Sequence, residues 1–275
     1  MSSGQWSVVE REQFSGVLKK DVRIMTDILL SGCTGKMGRV VVECVSKRTD
    51  CRIAAGIDIN TDAAACFPIF ARPSEFSGKA DVIIDFSHPS ALEGLLEYAV
   101  KSHIPAVIAT TGLNGDQIKA LNKAAESTPV FFSANMSVGV SLLKELAQKA
   151  ARVLGDSFDI EIVEMHHNQK LDAPSGTALM LADAISGVLA EKPCYEYDHH
   201  AKREPRGKNE IGIHSVRGGT ITGEHEIIFA GHDEIITISH SARSKQIFAA
   251  GAVNAAMFIK NKPAGLYAMK DLVAE

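Results

Sequence analysis

The feature that most restricts what this chain can fold into is a short apolar run, Ile28-Leu29-Leu30, that feeds directly into Ser31-Gly32-Cys33-Thr34-Gly35-Lys36-Met37-Gly38-Arg39 and then Val40-Val41-Val42-Glu43-Cys44-Val45. Apolar run, glycine-punctuated turn and apolar-periodic stretch predict strand, tight turn and helix in that order. The glycines fall at i, i+3 and i+6. Gly32 lets the chain turn, Gly35 lets backbone amides approach a pyrophosphate, and Gly38 lets helix and strand pack closely. The helix start then offers unpaired N–H groups and a positive dipole end to an anion. A glycine triplet alone is an ordinary turn; between a first strand and a helix it reads as a dinucleotide-binding loop. Nothing near Cys33 marks it as a nucleophile, and it reads as a small loop residue.

The same beat continues. A second strand, 52–57, ends in Asp58, 20 residues after Gly38. A carboxylate there can accept hydrogen bonds from an adenosine ribose. Ile59-Asn60 follow, so no cation adjoins Asp58 to take a 2′-phosphate, although Lys36 or Arg39 can partly compensate. NADH is therefore expected to serve at least as well as NADPH. The stretch 81–87 is almost uniformly apolar, as suits a parallel strand covered on both faces. A helix from His88-Pro89 to about Lys101, a strand at 106–109 and a helix at 114–126 come next. A strand at 130–133 follows, with Ala134-Asn135-Met136-Ser137 at its carboxyl end. The expected architecture is α/β, a doubly wound, Rossmann-like parallel sheet. Ligands bind beyond the carboxyl ends of such strands. The loops after residues 87, 109 and 133, with Ala109, Thr110, Thr111, Ser133, Ala134, Asn135 and Met136, are thus placed to flank a nicotinamide.

From Val138 the style changes. A helix to about Leu154 and a strand at 158–163 lead into Glu164-Met165-His166-His167-Asn168-Gln169-Lys170-Leu171-Asp172-Ala173-Pro174-Ser175-Gly176-Thr177, and a helix at 175–190 follows. After a His-rich loop at 199–206, three alternating runs at 211–217, 221–229 and 234–240 predict antiparallel strands. A last helix, 246–260, is expected to return to the first unit. At 275 residues two domains are the natural division. One is a dinucleotide-binding unit of 25–135 with 246–275; the other is a smaller α+β unit, 136–245, for substrate and self-association. Residues 1–24 read as an appended extension.

The fourteen residues from Glu164 to Thr177 crowd two imidazoles, an ammonium, a proline turn and a Gly-Thr pair at a helix start. The chain's net charge is −4, so an anion site must be local, and no bias toward nucleic acid exists. Two adjacent carboxylates of a small substrate would need such donors: His167 and Lys170 as cations, the Gly176 N–H and the Thr177 hydroxyl. His166 can exchange a proton and Lys170 can give one. The ten histidines do not predict a metal: adjacent pairs on a strand face opposite ways, and none joins a Cys or carboxylate set at ligand spacing. His199, His200, His232 and His240 read as loop or surface residues. Five cysteines without CxxC spacing exclude a disulfide scaffold and fit a reducing cytosol. No apolar segment approaches the roughly 20 residues of a membrane span, and 1–24 lacks a signal pattern. A cytoplasmic protein is expected.

Two rival classes are weaker. A semialdehyde dehydrogenase needs a reactive cysteine in its substrate unit, and Cys194 stands alone there without a nearby histidine. A nucleotide-binding sensor needs the glycine loop but not the His-His-x-x-Lys set.

Gly32-x-x-Gly35-Lys36-Met37-Gly38-Arg39, Ala109-Thr110-Thr111-Gly112, Ser133-Ala134-Asn135-Met136-Ser137-Val138-Gly139 and Glu164-x-His166-His167-x-x-Lys170-x-Asp172-Ala173-Pro174-Ser175-Gly176-Thr177-Ala178 together resemble the 4-hydroxy-tetrahydrodipicolinate reductase (dihydrodipicolinate reductase) family. The resemblance runs from about Thr26 to the C-terminus. It implies hydride transfer from NADH or NADPH to a conjugated cyclic imine of a dicarboxylate, in lysine and diaminopimelate synthesis. His166 takes the acid/base role and Lys170 the proton-donor role. His167, Gly176 and Thr177 hold substrate carboxylates. The cofactor contacts Gly32, Cys33, Thr34, Gly35, Lys36, Met37, Asp58, Ala109 to Thr111 and Ser133 to Met136. A homotetramer built through the second unit's strands is also implied. Three positions depart from some members: Ile59 replaces a basic residue, His88 an arginine and Met136 an aromatic.

Overall fold

A computed structural model describes residues 25–274; the extension expected at 1–24 lies outside them. Its first half alternates β1 (Thr26–Ser31), α1 (Lys36–Ser46), β2 (Cys51–Ile57), β3 (Ile69–Phe70), β4 (Val82–Asp85), α2 (Leu92–Ser102), β5 (Ala106–Ile108), α3 (Gly115–Ala125) and β6 (Pro129–Phe132). Then come α4 (Val138–Leu154), β7 (Asp159–His166), α5 (Gly176–Ser186), β8 (Cys194–Glu196), β9 (Glu210–Arg217), β10 (Gly223–Ala230) and β11 (Ile235–Ala242). The described chain closes with α6 (Gln246–Ile259), β12 (Gly265–Tyr267) and α7 (Met269–Val273).

The larger sheet has the order β12-β6-β5-β4-β1-β2-β3, with every pair parallel. Successive residues of a strand face opposite ways, and here both faces are core. Ile28, Leu30, Val82, Ile84, Val107 and Phe131 pack with α1 and α6, whereas Leu29, Ile83, Ala106, Ile108 and Val130 pack with α2 and α3. That two-sided burial is why these strands show no polar alternation. The doubly wound sheet and the return of 246–259 to it agree with the sequence reading. The strands β3, β8 and β12 are two or three residues long, too short for a period to show.

The smaller sheet keeps the expected alternation of direction in β9, β10 and β11 but corrects their neighbours, since β7 lies between β9 and β10. Its order is β11-β10-β7-β9-β8; only β10 pairs antiparallel, with β11 and β7, while β9 runs parallel to both β7 and β8. Alternation identifies a strand but not its neighbour. The pairing follows from the crossover through α5, which returns the chain to run parallel alongside β7.

Helices α4 and α5 cover one face of this sheet, over Ile160, Ile162, Ile211, Ile213, Ile227 and Phe229. No helix among the described residues is long and apolar enough to cross a membrane.

Candidate active site

The covered face of the smaller sheet changes character along its length, in register across three strands. On β7, buried Ile160 and Ile162 give way to buried Glu164 and His166. On β9, Ile211 and Ile213 give way to Ser215 and Arg217, and on β10 Phe229 and Ile227 give way to His225 and Gly223. The apolar ends hold the helices; the polar ends meet beneath the start of α5. Buried polar groups favour pairing, and the pairing here is dense, although Arg217 Nε and His225 Nδ1 are left without a partner. The Arg217 guanidinium donates to both Glu164 oxygens, at 2.8 and 2.7 Å. The Ser175 N–H donates to Glu164 Oε1 at 3.1 Å, and His166 Nδ1 lies 2.5 Å from Oε2. Burial pushes the Glu164 carboxyl up, but Arg217, Ser215, His166 and the Ser175 N–H outweigh it and hold the pKa at about 2. Removing one partner from a buried ion pair costs about 3–5 kcal/mol.

Ser175 caps α5 by accepting the Ala178 N–H, and its hydroxyl also lies 3.0 Å from His225 Nε2. The His225 ring meets His166 edge-on, with centroids 5.3 Å apart. Burial, then the neighbouring His166, pushes the His225 pKa down to about 4, so it stands as a neutral base at pH 7. Pro174 follows a cis peptide bond. Lys170 pairs with Asp172 at 2.8 Å.

These groups open into a cavity of about 470 Å³. His166, Lys170, Gly176 and Thr177 line it together with Ser133, Ala134 and Asn135 from the larger sheet. Asn135 ties the two sides: its Nδ2 donates to Thr177 Oγ1 at 3.2 Å. His167, read as a carboxylate anchor, is half-buried and does not line the cavity. Lys144 and Lys270 do line it and were not singled out in the sequence. They come from α4 and α7, and no local motif connects them to residues 164–177.

A second cavity, of about 290 Å³, shares Ala134 with the first and is lined by Met37, Phe86, Ser87, Ala109, Thr111, Met136 and Phe248. The strand-end loops around it are cross-braced. The Thr110 hydroxyl donates to buried Asp85 at 2.6 Å, so this side chain turns inward. Met136 is buried beneath α6, where a Cβ on Gly251 would fall 1.7 Å from the Met136 carbonyl oxygen.

The glycine loop fits a dinucleotide phosphate. Gly32 has φ +75°, and a Cβ on it would lie 2.6 Å from the Phe86 carbonyl oxygen; a Cβ on Gly38 would lie 2.1 Å from that of Gly32. α1 starts at Gly35 without a side-chain cap, unlike α3, α4 and α5, which Asn114, Ser137 and Ser175 cap. Its first-turn amides are therefore open to an anion. Lys36 is exposed beside them and Thr34 is half-buried. Asp58 accepts the Thr34 N–H at 2.9 Å and so braces the loop from the end of β2. The Cys33 side chain is buried against Gly56, and burial, then Asp58, pushes its thiol pKa up to about 11. Such a thiol is inert.

Among the other histidines, His200 and His232 are exposed, and His199 is half-buried near Glu210. His240 corrects the surface reading: it is half-buried on β11, paired in register with His225, and its ring packs over Gly139. No group of three or more His, Cys, Asp or Glu among the described residues is placed to hold a metal ion. Cys194 lies on β8, with its thiol against the Asn209 carbonyl, away from both cavities.

Comparison with known proteins gives the same outline. Residues 26–136 match the family described as dihydrodipicolinate reductase, N-terminus, and 139–273 its C-terminus. The chain is 51% identical over 250 residues to 4-hydroxy-tetrahydrodipicolinate reductase of Caldanaerobacter subterraneus subsp. tengcongensis, covering 91% of this chain and 99% of that one. It is 44% identical to the Clostridium tetani enzyme of that name, over 90% of this chain and 97% of the relative. Among solved structures, dipicolinate-bound dihydrodipicolinate reductase from Paenisporosarcina sp. TG-14 superposes with a TM-score of 0.74 at 27% identity, covering 89% of this chain and 98% of that one.

Proposed function

The chain belongs to the dihydrodipicolinate reductase family, and from that premise we propose that it reduces 4-hydroxy-tetrahydrodipicolinate to tetrahydrodipicolinate in diaminopimelate and lysine synthesis. Per turnover, one NAD(P)H and one proton are consumed, water leaves the 4-hydroxy compound, and NAD(P)⁺ is released. The observation that carries this reading is the junction of the two cavities at Ala134, which sets a proton-donating, cation-lined space against an apolar-walled one. Met37, Ala109, Thr111, Ala134 and Met136 around the smaller space would hold a nicotinamide, which when bound would supply the hydride. Lys170 and the Gly176 and Thr177 groups at the start of α5 hold substrate carboxylates, with Lys144 and Lys270 adding positive charge around them. His166 and Lys170 hand over the proton that quenches charge on the ring nitrogen.

The dinucleotide is held by Gly32 to Met37, Asp58, Ala109 to Thr111 and Ser133 to Met136. With fully exposed Ile59 rather than a cation beside Asp58, NADH is the cofactor expected to be at least as efficient. Residues 25–135 with 246–275 form the cofactor unit, and 136–245 the substrate unit. The smaller sheet's uncovered face carries half-buried Val163, Met165 and Ile228 and exposed Val216 and Ile235, a surface suited to self-association as a homotetramer.

The test is NADH oxidation dependent on freshly generated hydroxy-tetrahydrodipicolinate, repeated with NADPH. No substrate-dependent oxidation with either cofactor would overturn the reading. A kcat/KM clearly higher with NADPH would overturn the cofactor preference alone.

A further inference from the structure

We infer that Glu164, clamped by Arg217, is a positioning residue that holds the His166 ring hydrogen on Nδ1 from behind and so leaves Nε2 free to exchange a proton at the cavity. The inference deepens the reductase reading and rests on it for the part His166 plays in turnover. The geometry is independent of that reading. Glu164 is fully buried and, besides the Ser215 hydroxyl, four nitrogen donors converge on its two oxygens: His166 Nδ1 and Arg217 Nη1 on Oε2, the Ser175 N–H and Arg217 Nη2 on Oε1. An ionised carboxylate only accepts hydrogen bonds. The hydrogen between it and the ring therefore belongs to Nδ1, and in the neutral ring Nε2 is bare. Nε2 is the nitrogen that can take up a proton and pass it on, and the ring lines the substrate cavity. Gly223 on β10 makes room for this edge, since a Cβ there would come within 3.1 Å of Nε2.

The same carboxylate also holds the substrate side. Its Oε1 fixes the N–H of Ser175, the capping residue of α5, whose next two residues, Gly176 and Thr177, line the cavity. One buried charge thus sets both the orientation of the proton-carrying ring and the start of the helix that faces the anion.

The four-donor arrangement makes Glu164→Gln informative. A glutamine has one oxygen and one NH₂, so two of the four nitrogen donors must face another donor. The Ser215 hydroxyl can simply rotate to accept, and neither the Ser175 N–H nor the guanidinium can become an acceptor; the neutral imidazole can, by moving its hydrogen to Nε2. The variant is therefore expected to turn its NH₂ toward His166 and to switch the ring's tautomer.

The experiment is ¹⁵N NMR of histidine-labelled, ligand-free protein, with the His166 signals assigned by difference against His166→Gln, alongside steady-state kinetics. Recorded at a pH where the ring is neutral, the wild type is expected to carry the His166 hydrogen on Nδ1, and Glu164→Gln to carry it on Nε2. The kcat of Glu164→Gln is expected to fall on the order of 10²-fold, with the NADH dissociation constant within about twofold of wild type. Glu164→Asp, which keeps the charge, should keep the Nδ1 tautomer and recover at least about tenfold over the Gln variant. An active wild type whose neutral ring carries its hydrogen on Nε2 overturns the inference, and so does a tautomer-switched Glu164→Gln variant with kcat within threefold of wild type. If the Gln variant fails to fold, the wild-type spectrum and the Asp variant still decide. A wild type without reductase activity would instead overturn the reading of the reaction.

Discussion

Two helix starts in this molecule face the adjoining cavities and loops, and they are equipped in opposite ways. α1 begins at Gly35 with no side-chain cap, and the loop before it is shaped by glycines. α5 begins at Ser175, whose hydroxyl caps the helix and whose N–H is held by a buried Glu164–Arg217 pair. The first site is made by leaving atoms out, so that backbone amides can reach a large phosphate group. The second is made by adding side chains, which in the proposed reaction would fix the orientation of a small anion and of a proton donor next to it. A binding loop can be built from absent side chains; a reacting centre needs charges held in place.

The sharpest way to break this contrast is one methyl group at each site. A Cβ on Gly38 would stand 2.1 Å from the Gly32 carbonyl oxygen, whereas a Cβ on Gly176 meets nothing within 4 Å. Gly38→Ala must push α1 off the loop, and calorimetric titration is expected to show NADH affinity reduced by more than 10²-fold. Gly176→Ala keeps its N–H and lies in a helix, where alanine is favoured by about 0.5–1 kcal/mol. Its melting temperature should rise by about 1–3 °C. Wild-type NADH affinity in Gly38→Ala would show that the loop is not glycine-made in the sense argued.

Next in size are the groups proposed to react. His166→Gln and Lys170→Ala should each lower kcat on the order of 10²–10⁴-fold and leave NADH binding nearly unchanged, because neither residue lines the Met37–Phe248 cavity. Retained turnover in Lys170→Ala would remove it from proton donation. A matching loss of NADH affinity would mean that the two sites are not separable.

The same division explains what was legible in the sequence. The glycine loop, Asp58 and the parallel strands were readable because spacing and apolar runs act locally, and residues 28–58 carry their own context. His166, Lys170, Gly176 and Thr177 were readable because they crowd into one stretch. Glu164 opens that stretch, yet its partners Arg217 and His225 lie 53 and 61 residues further on. They meet it only because β9 and β10 flank β7. No local pattern encodes that pairing, just as alternation could not give β9 its neighbours. Lys144 and Lys270 were hidden for the same reason. His167 shows the converse: adjacency to His166 suggested a shared site, but the end of β7 turns the two side chains into different surroundings.

The smallest expected effect tests whether the α5 site is held by neutral as well as charged groups. His225 is buried, with Nε2 against the Ser175 hydroxyl, and its pKa is pushed down to about 4 from an ordinary 6.5, chiefly by burial. Above pH 6.5 neither folded nor unfolded chain protonates this ring, and its contribution to stability is fully present. Between 6.5 and 4 the unfolded chain takes up a proton that the folded one refuses, so stability is lost as pH falls through that window. Glu164, held at about 2 against an ordinary 4.5, acts in the same direction but lower, with its contribution present above 4.5 and lost between 4.5 and 2. Melting temperature followed from pH 7.5 to 5 should therefore drop by a few degrees in the wild type. His225→Gln, which keeps a polar group beside Ser175 but cannot be protonated, should flatten that slope while starting from a lower value at pH 7.5. An equally steep decline in the variant would move the acid sensitivity to other groups and leave Ser175 positioned by Glu164 alone.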